Sequence, residues 1–166
     1  FEPRMRTRES AYSLFAPIRD MVHAVDESSA ETQATAEEPY LDLPDVLTYM
    51  ATENFLAEQD GFVGMQGMNN FYLYLRDGNH GGELIPWDKD QTLQWLEMPP
   101  WYNLERNPLM RKAWAMPELR QRYLQKVLDA TEWAGWLGAE VEREYAEIRE
   151  AVLADPFKPA SNEEFE

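Results

Sequence analysis

The stretch NNFYLYLRDGNHGGELIPWDKDQTL, Asn69 to Leu93, decides how this chain is read. Its opening NFYLYLR (Asn70–Arg76) is aromatic-rich and alternating, the pattern of a half-buried strand. DGNHGG is a cluster of turn formers, and ELIPW reads as the returning strand. Together they predict a β-hairpin that delivers Asp88 just past its second strand, within Asp88-Lys89-Asp90-Gln91-Thr92.

On local spelling alone, D-x-D-x-T serves three chemistries. In haloacid-dehalogenase-type phosphatases the first Asp attacks phosphorus and the second acts as acid and base. That chemistry needs a doubly wound parallel sheet built largely after the motif, whereas the residues following Leu93 read as helices with no late acidic pair. A calcium loop would place Gly at the sixth position and Glu at the twelfth; here these are Leu93 and Pro99. The third reading is metal-assisted phosphoryl transfer from ATP. It needs a carboxylate on Mg²⁺, a second oxygen ligand, and a carboxylate near the attacking hydroxyl. Asp60 at a helix end, Asn70 at the start of the first strand and Asp88 after the second follow that order. Each also has an ordinary reading: Asp60-Gly61 as a helix exit, Asn69-Asn70 as a strand start, Asp88 as a turn cap.

The flanks are helical. Before the hairpin, Leu14, Phe15, Ile18, Met21, Val22 and Val25 recur at helical spacing. DESSAETQATAEEPY (26–40) reads as an exposed acidic loop. LDLPDVLTYMATENFLAEQD (Leu41–Asp60) reads as a helix with Pro44 in its first turn and Val46, Leu47, Met50 and Phe55 on its buried stripe. Six of the eight glycines fall between Gly61 and Gly82. Gly61, Gly64 and Gly67 echo a phosphate cradle, but no Gly-Lys-Ser/Thr follows, so a flexible loop is expected. Beyond the hairpin, Pro117 opens a helix carrying Leu119, Tyr123, Leu124, Val127 and Leu128, and Ala139–Leu153 forms another. The tryptophans Trp95, Trp101, Trp114, Trp133 and Trp136 are expected in the core, with Tyr72 and Trp87 in the core or in a pocket wall. His80 falls in the hairpin tip.

At 166 residues and 44% hydrophobic, the chain can bury one sizeable core. A formal charge of -16 disfavours nucleic acid and anionic membranes as partners, although Mg²⁺ held by carboxylates can bring phosphates to an acidic site. With no cysteine, disulfides, thiolate catalysis and Cys-zinc sites are excluded. No apolar run approaches the ~20 residues of a membrane span.

Several separate motifs in one order resemble the CotH kinase family. ENFLAEQDGFVGMQGMNNFYLYLRDGNHGGELIPWDKDQTL (Glu53–Leu93) is similar to that family's helix, D-G, N-N-F/Y-Y-L-Y and I-P-W-D-x-D-x-T series. NPLMRKAWAMPELRQRYLQKV and the closing ADPFKPASNEEFE are similar to its later segments, and APIRDMVHAV with the helix from Leu41 fits its upstream helices. The resemblance implies a predominantly helical α+β fold, the C-lobe of an atypical protein kinase with one β-hairpin, forming a single partial domain over 1–166. It implies an enzyme using ATP and Mg²⁺ or Mn²⁺ to phosphorylate Ser or Thr of a protein substrate. By position, Asp60 would be the catalytic carboxylate. Asn70 and Asp88 would bind metal and cofactor, the choice between Asn69 and Asn70 resting on spacing, and Asp90 would support the metal or cap the turn. Two departures stand out. The family often continues with Phe-Gly where this chain has Leu93-Gln94. Nothing before Asp60 reads as the strand-rich lobe that cradles ATP with a Lys, and the first lysine is Lys89. The chain is therefore expected to be the C-terminal portion of a longer protein. The competing expectation is a non-catalytic relative acting as a surface or envelope binding module. Many relatives are exported, so the resemblance also implies an extracytoplasmic address.

Overall fold

The computed structural model describes residues 11–29, 31–33, 36, 38–75 and 81–166. The basic opening with Arg4, Arg6 and Arg8, and the hairpin tip with His80, lie outside the described residues. The chain divides into two compact units, Phe1–Leu128 and Asp129–Glu166.

In the first unit, helices α1 (Ala11–Glu27) and α2 (Leu43–Phe55) precede a two-stranded antiparallel sheet of β1 (Phe71–Leu75) and β2 (Gly82–Pro86). A 3-10 turn at Leu104–Arg106, helix α3 (Pro108–Ala115) and the start of α4 (Pro117–Glu132) follow. The result is the predominantly helical α+β arrangement expected, with one hairpin among the described residues. No described helix is long and apolar enough to cross a membrane.

Local chemistry sets the helix bounds. Asp42 caps α2, its carboxylate accepting the Asp45 N–H at 3.3 Å, and Pro44 occupies the first turn. Asn107 does the same for α3, accepting from Met110 N–H at 3.2 Å ahead of Pro108. The C-terminal carbonyls of α1 are met by a side chain from far along the chain. Lys112 Nζ donates to Val25 O, to Asp26 O at 3.0 Å and to Ser28 O at 2.7 Å.

The expected helix to Asp60 stops at Phe55. Ala57 adopts a left-handed φ of 52°, its N–H bonds Asn54 O at 3.2 Å, and Glu58 N–H bonds Glu53 O at 2.9 Å. This paired closure is a Schellman motif, and it turns the chain out of the helix before Glu58. Alanine carries a steric cost at that φ that glycine lacks. Ala57→Gly is expected to stabilise the protein by about 1 kcal/mol, read as a rise of roughly 2–4 °C in Tm.

The core joins Met21 and Val25 of α1, Val46, Leu47, Met50 and Ala51 of α2, Phe62 and Val63, and Leu109, Met110 and Ala113 of α3 to Tyr123 of α4. Met50, Ala113 and Tyr123 are fully enclosed, and each buried Met or Leu side chain contributes about 1.5–3 kcal/mol. The inner hairpin residues Phe71, Leu73 and Leu84 pack against this core. The hairpin register runs from Phe71↔Pro86 to Leu75↔Gly82, and Leu41 bridges to Gly82. Gly82 has no alternative there, since a Cβ would lie 2.6 Å from Tyr40 O.

Some expected core positions are exposed. Val22, Leu124 and Leu128 face solvent, as do Trp101, Trp133 and Trp136. Within 26–40 the described acids Asp26, Glu27, Glu31 and Glu38 are exposed, but Asp26 and Glu27 end α1 and Gln33 is fully buried, its Nε2 donating to Leu109 O at 2.9 Å.

In the second unit, α5 (Ala134–Ala154) contains no buried residue, and α6 (Asn162–Phe165) opens with a reciprocal cap between Ser161 and Glu164. Tyr145 stacks on Phe165 with ring centroids 5.3 Å apart, and Arg149 pairs with Glu166.

Candidate functional site

The site grows from the exit of α2. Past the Schellman turn, Glu58 folds back so that its Oε1 accepts the Asp60 N–H at 2.8 Å. Two residues on, Phe62 N–H donates to Glu53 Oε2 at 2.9 Å. Gly61 lies between them because a Cβ would meet Glu53 Oε2 at 2.6 Å and Glu58 Cγ at 2.7 Å. The glycine-rich run expected to be a flexible loop is instead a pair of tight turns, closed by Gly64 N–H to Gly61 O and Gly67 N–H to Gly64 O, with Gly61 and Gly64 buried. Asn69 N–H then bonds Gly61 O at 3.1 Å, returning the chain to its starting point.

This return brings Asp60 and the asparagines together. Asn69 Nδ2 lies 3.0 Å from both carboxylate oxygens of Asp60, and Asn70 Nδ2 lies 2.8 Å from Oδ2. The donated N–H groups fix the plane of the carboxylate. Asn70 also accepts the Trp87 N–H on its carbonyl at 3.2 Å, extending the hairpin ladder by one rung past Phe71↔Pro86. Asn70 and Asp88 therefore leave the same end of the hairpin, each with a left-handed φ, 52° and 53°. Asn and Asp tolerate that conformation better than other side-chain-bearing residues.

The loop after Asp88 docks on the exit of α2. Leu93 N–H donates to Leu56 O at 2.7 Å, and Gln59 N–H donates to Gln91 O at 3.2 Å. Asp88 and Asp90 are exposed, whereas Lys89 between them is turned in. Its Nζ lies 2.5 Å from Glu53 Oε1 and 5.7 Å from the centre of the Tyr49 ring. The Glu53 side chain is 7% exposed. Its negative charge and burial both push the Tyr49 phenol pKa upward, burial most strongly, so Tyr49 stays neutral.

Glu58 is buried, and its Oε2 has no hydrogen-bond partner. Burial raises its pKa above the ordinary 4.5, against the lowering effects of the Asp60 N–H and Lys89. A carboxyl with a raised folded pKa keeps its proton longer in the folded state, so its contribution to stability is full at low pH and is lost as pH rises through the folded value. Relative to Glu58→Gln, the wild-type Tm is thus expected to fall as pH rises from 4.5 and to level off once Glu58 is ionised. Parallel Tm-against-pH curves for the two proteins would contradict this.

Of the sequence-predicted residues, Asp60 and Asn70 are joined directly, Asp88 is set beside them by the hairpin end, and Asp90 lies further along the exposed turn. Oxygen donors available to a hard divalent cation are the Asp88 carboxylate and Asn70 Oδ1, whose Nδ2 is already committed to Asp60. No three His, Cys, Asp or Glu side chains converge on a metal position among the described residues. A cation here fits the habit of Mg²⁺, which relies on one or two protein ligands and completes its shell with phosphate and water oxygens. The only strands among the described residues form the antiparallel hairpin, so D-x-D-x-T lacks the parallel sheet of a dehalogenase-type phosphatase.

Glu53, Glu58 and Lys89 went unread in the sequence. A signal for Glu53 was present: it sits at helical spacing from Val46 and Met50, on the buried stripe. Trp87 is 56% exposed and packs on Tyr72, ring centroids 5.7 Å apart, so it is a surface wall beside Asp88 and no part of the core. His23 is exposed.

The sequence matches, over residues 3–166, the family described as CotH kinase protein. It is 27% identical over 176 residues to the inner spore coat protein H of Bacillus subtilis (strain 168), a span covering all of this chain and 46% of that protein. The chain thus spans about half the length of this curated relative.

Proposed function

The chain belongs to the CotH kinase protein family, and from that premise we propose that it is the phosphoryl-transfer portion of an atypical kinase acting on Ser or Thr of a protein. The observation carrying this reading is the Asp60 carboxylate clamped by the Asn69 and Asn70 amides at the hairpin end from which Asp88 emerges. Fixed in plane, the Asp60 carboxylate orients the acceptor hydroxyl and takes its proton as oxygen attacks the γ-phosphorus and the bond to the β-phosphate oxygen breaks. Asn70 Oδ1 and Asp88 would hold Mg²⁺ or Mn²⁺, with Asp90 in support. The cation supplies charge neutralisation on the phosphates. ATP is the proposed donor, supported by the family's description as a kinase protein and by positioned carboxylates of the kind phosphoryl transfer asks for.

The test uses full-length protein, γ-labelled ATP, Mg²⁺ or Mn²⁺, and a panel of Ser- and Thr-containing proteins. Incorporation that EDTA abolishes and added metal restores is the expected result. No incorporation with either metal would sink the kinase reading and favour a non-catalytic surface binding module.

A further inference from the structure

Glu53 meets the two halves of the site from behind. Its Oε1 takes Lys89 Nζ at 2.5 Å, and Lys89 lies between Asp88 and Asp90. Its Oε2 takes Phe62 N–H at 2.9 Å, two residues after Asp60. Gly61 lets that backbone approach as closely as it does. One buried carboxylate thus ties the segment carrying Asp60 to the segment carrying Asp88, although the two lie far apart in sequence.

Stability alone accounts poorly for such a pair. Desolvating both ions largely cancels their attraction, and a neutral pair of similar shape is commonly as stable or more so. What an ion pair adds over an apolar pair is the requirement for one particular partner. Lys89 can satisfy Glu53 only with the Asp88 loop seated against α2, the position in which Leu93 N–H reaches Leu56 O and Gln59 N–H reaches Gln91 O.

We propose that Glu53 is a positioning residue which, through Lys89 and the Phe62 N–H, sets the separation of the Asp60 and Asp88 carboxylates. The kinetic consequence rests on the phosphoryl-transfer reading; the structural one does not. Lys89→Met alone leaves Glu53 buried without its cation, so a folding defect would confuse the outcome. The informative variant is Glu53→Gln with Lys89→Met, which removes both charges and retains a side-chain carbonyl for Phe62 N–H.

In full-length protein this double variant is expected to keep its Tm within roughly 3 °C of wild type. Its kcat is expected to fall about 10²-fold with KM for the acceptor unchanged, the mark of misplaced reacting groups. Hydrogen exchange at the Leu93 and Gln59 amides is expected to quicken about tenfold. Wild-type kcat together with unchanged exchange would show a structural pair only and overturn the proposal. If the wild type transfers no phosphate, the kinase reading fails by itself and exchange decides: faster exchange supports the coupling, and unchanged exchange overturns it.

Discussion

Replacing Asp60 by Asn is expected to lower kcat for phosphoryl transfer about 10³-fold, within the range a positioned proton acceptor contributes. Asparagine has nearly the same shape but cannot take the hydroxyl proton. Its Nδ2 also faces donors where the carboxylate accepted three contacts from Asn69 and Asn70. Losing one or two of these costs about 1–2 kcal/mol, a Tm drop of a few degrees that leaves the protein folded at assay temperature. The metal requirement should barely move. Asp88→Asn is expected to do the opposite: it weakens a metal ligand, so the Mg²⁺ or Mn²⁺ concentration for half-maximal rate rises about tenfold or more. Metal titrations of the two variants separate the roles. Activity within about threefold of wild type for Asp60→Asn, measured on folded protein, would remove Asp60 from the chemistry.

The second large effect concerns what holds the site against the helices behind it. Asn54, next to Glu53 and 2% exposed, donates from Nδ2 to Pro100 O at 3.1 Å, Tyr102 O at 3.3 Å and Tyr123 Oη at 2.9 Å. Tyr123 Oη donates in turn to Pro100 O, and its burial pushes the phenol pKa well above the usual tyrosine value. The network fastens α2 to α4 and to the 99–103 segment. Asn54→Leu keeps the side-chain branching but strands Tyr102 O and removes two further contacts, a loss of about 3 kcal/mol. Asn54 Oδ1 is buried with no partner, so deleting it returns about 1 kcal/mol. The balance is about 2 kcal/mol, a Tm fall of roughly 4–8 °C. Asn54→Leu combined with Tyr123→Phe should cost less than the two single changes summed, since both remove the same bond. A change under about 1 °C for Asn54→Leu would mean that the network contributes nothing net.

Much of the framework was legible because its causes are local. Alternation and turn formers announced the hairpin, and Pro44 and Pro117 stand in the first turns of their helices. The candidate site was legible as an ordered set of residue types, Asp60, Asn70 and Asp88. Their connections were not legible. That both asparagines clamp Asp60 depends on turns closed by Gly61 and Asn69. That α2 stops at Phe55 depends on Ala57 taking a left-handed φ, a choice alanine does not advertise.

What the sequence by itself determined, then, is the helical α+β framework, the hairpin, the absence of cysteine chemistry and the identity of the acidic and amide groups at its end. These follow from periodicity, turn chemistry and composition, which act over a few residues. The tertiary structure alone decided which acids are buried, that Lys89 turns inward to Glu53 across 36 positions, and that Asn54 meets Tyr123 across 69. The reason is physical: whether a charge or amide is desolvated and paired depends on what packs over it, and that partner lies beyond the reach of any local pattern.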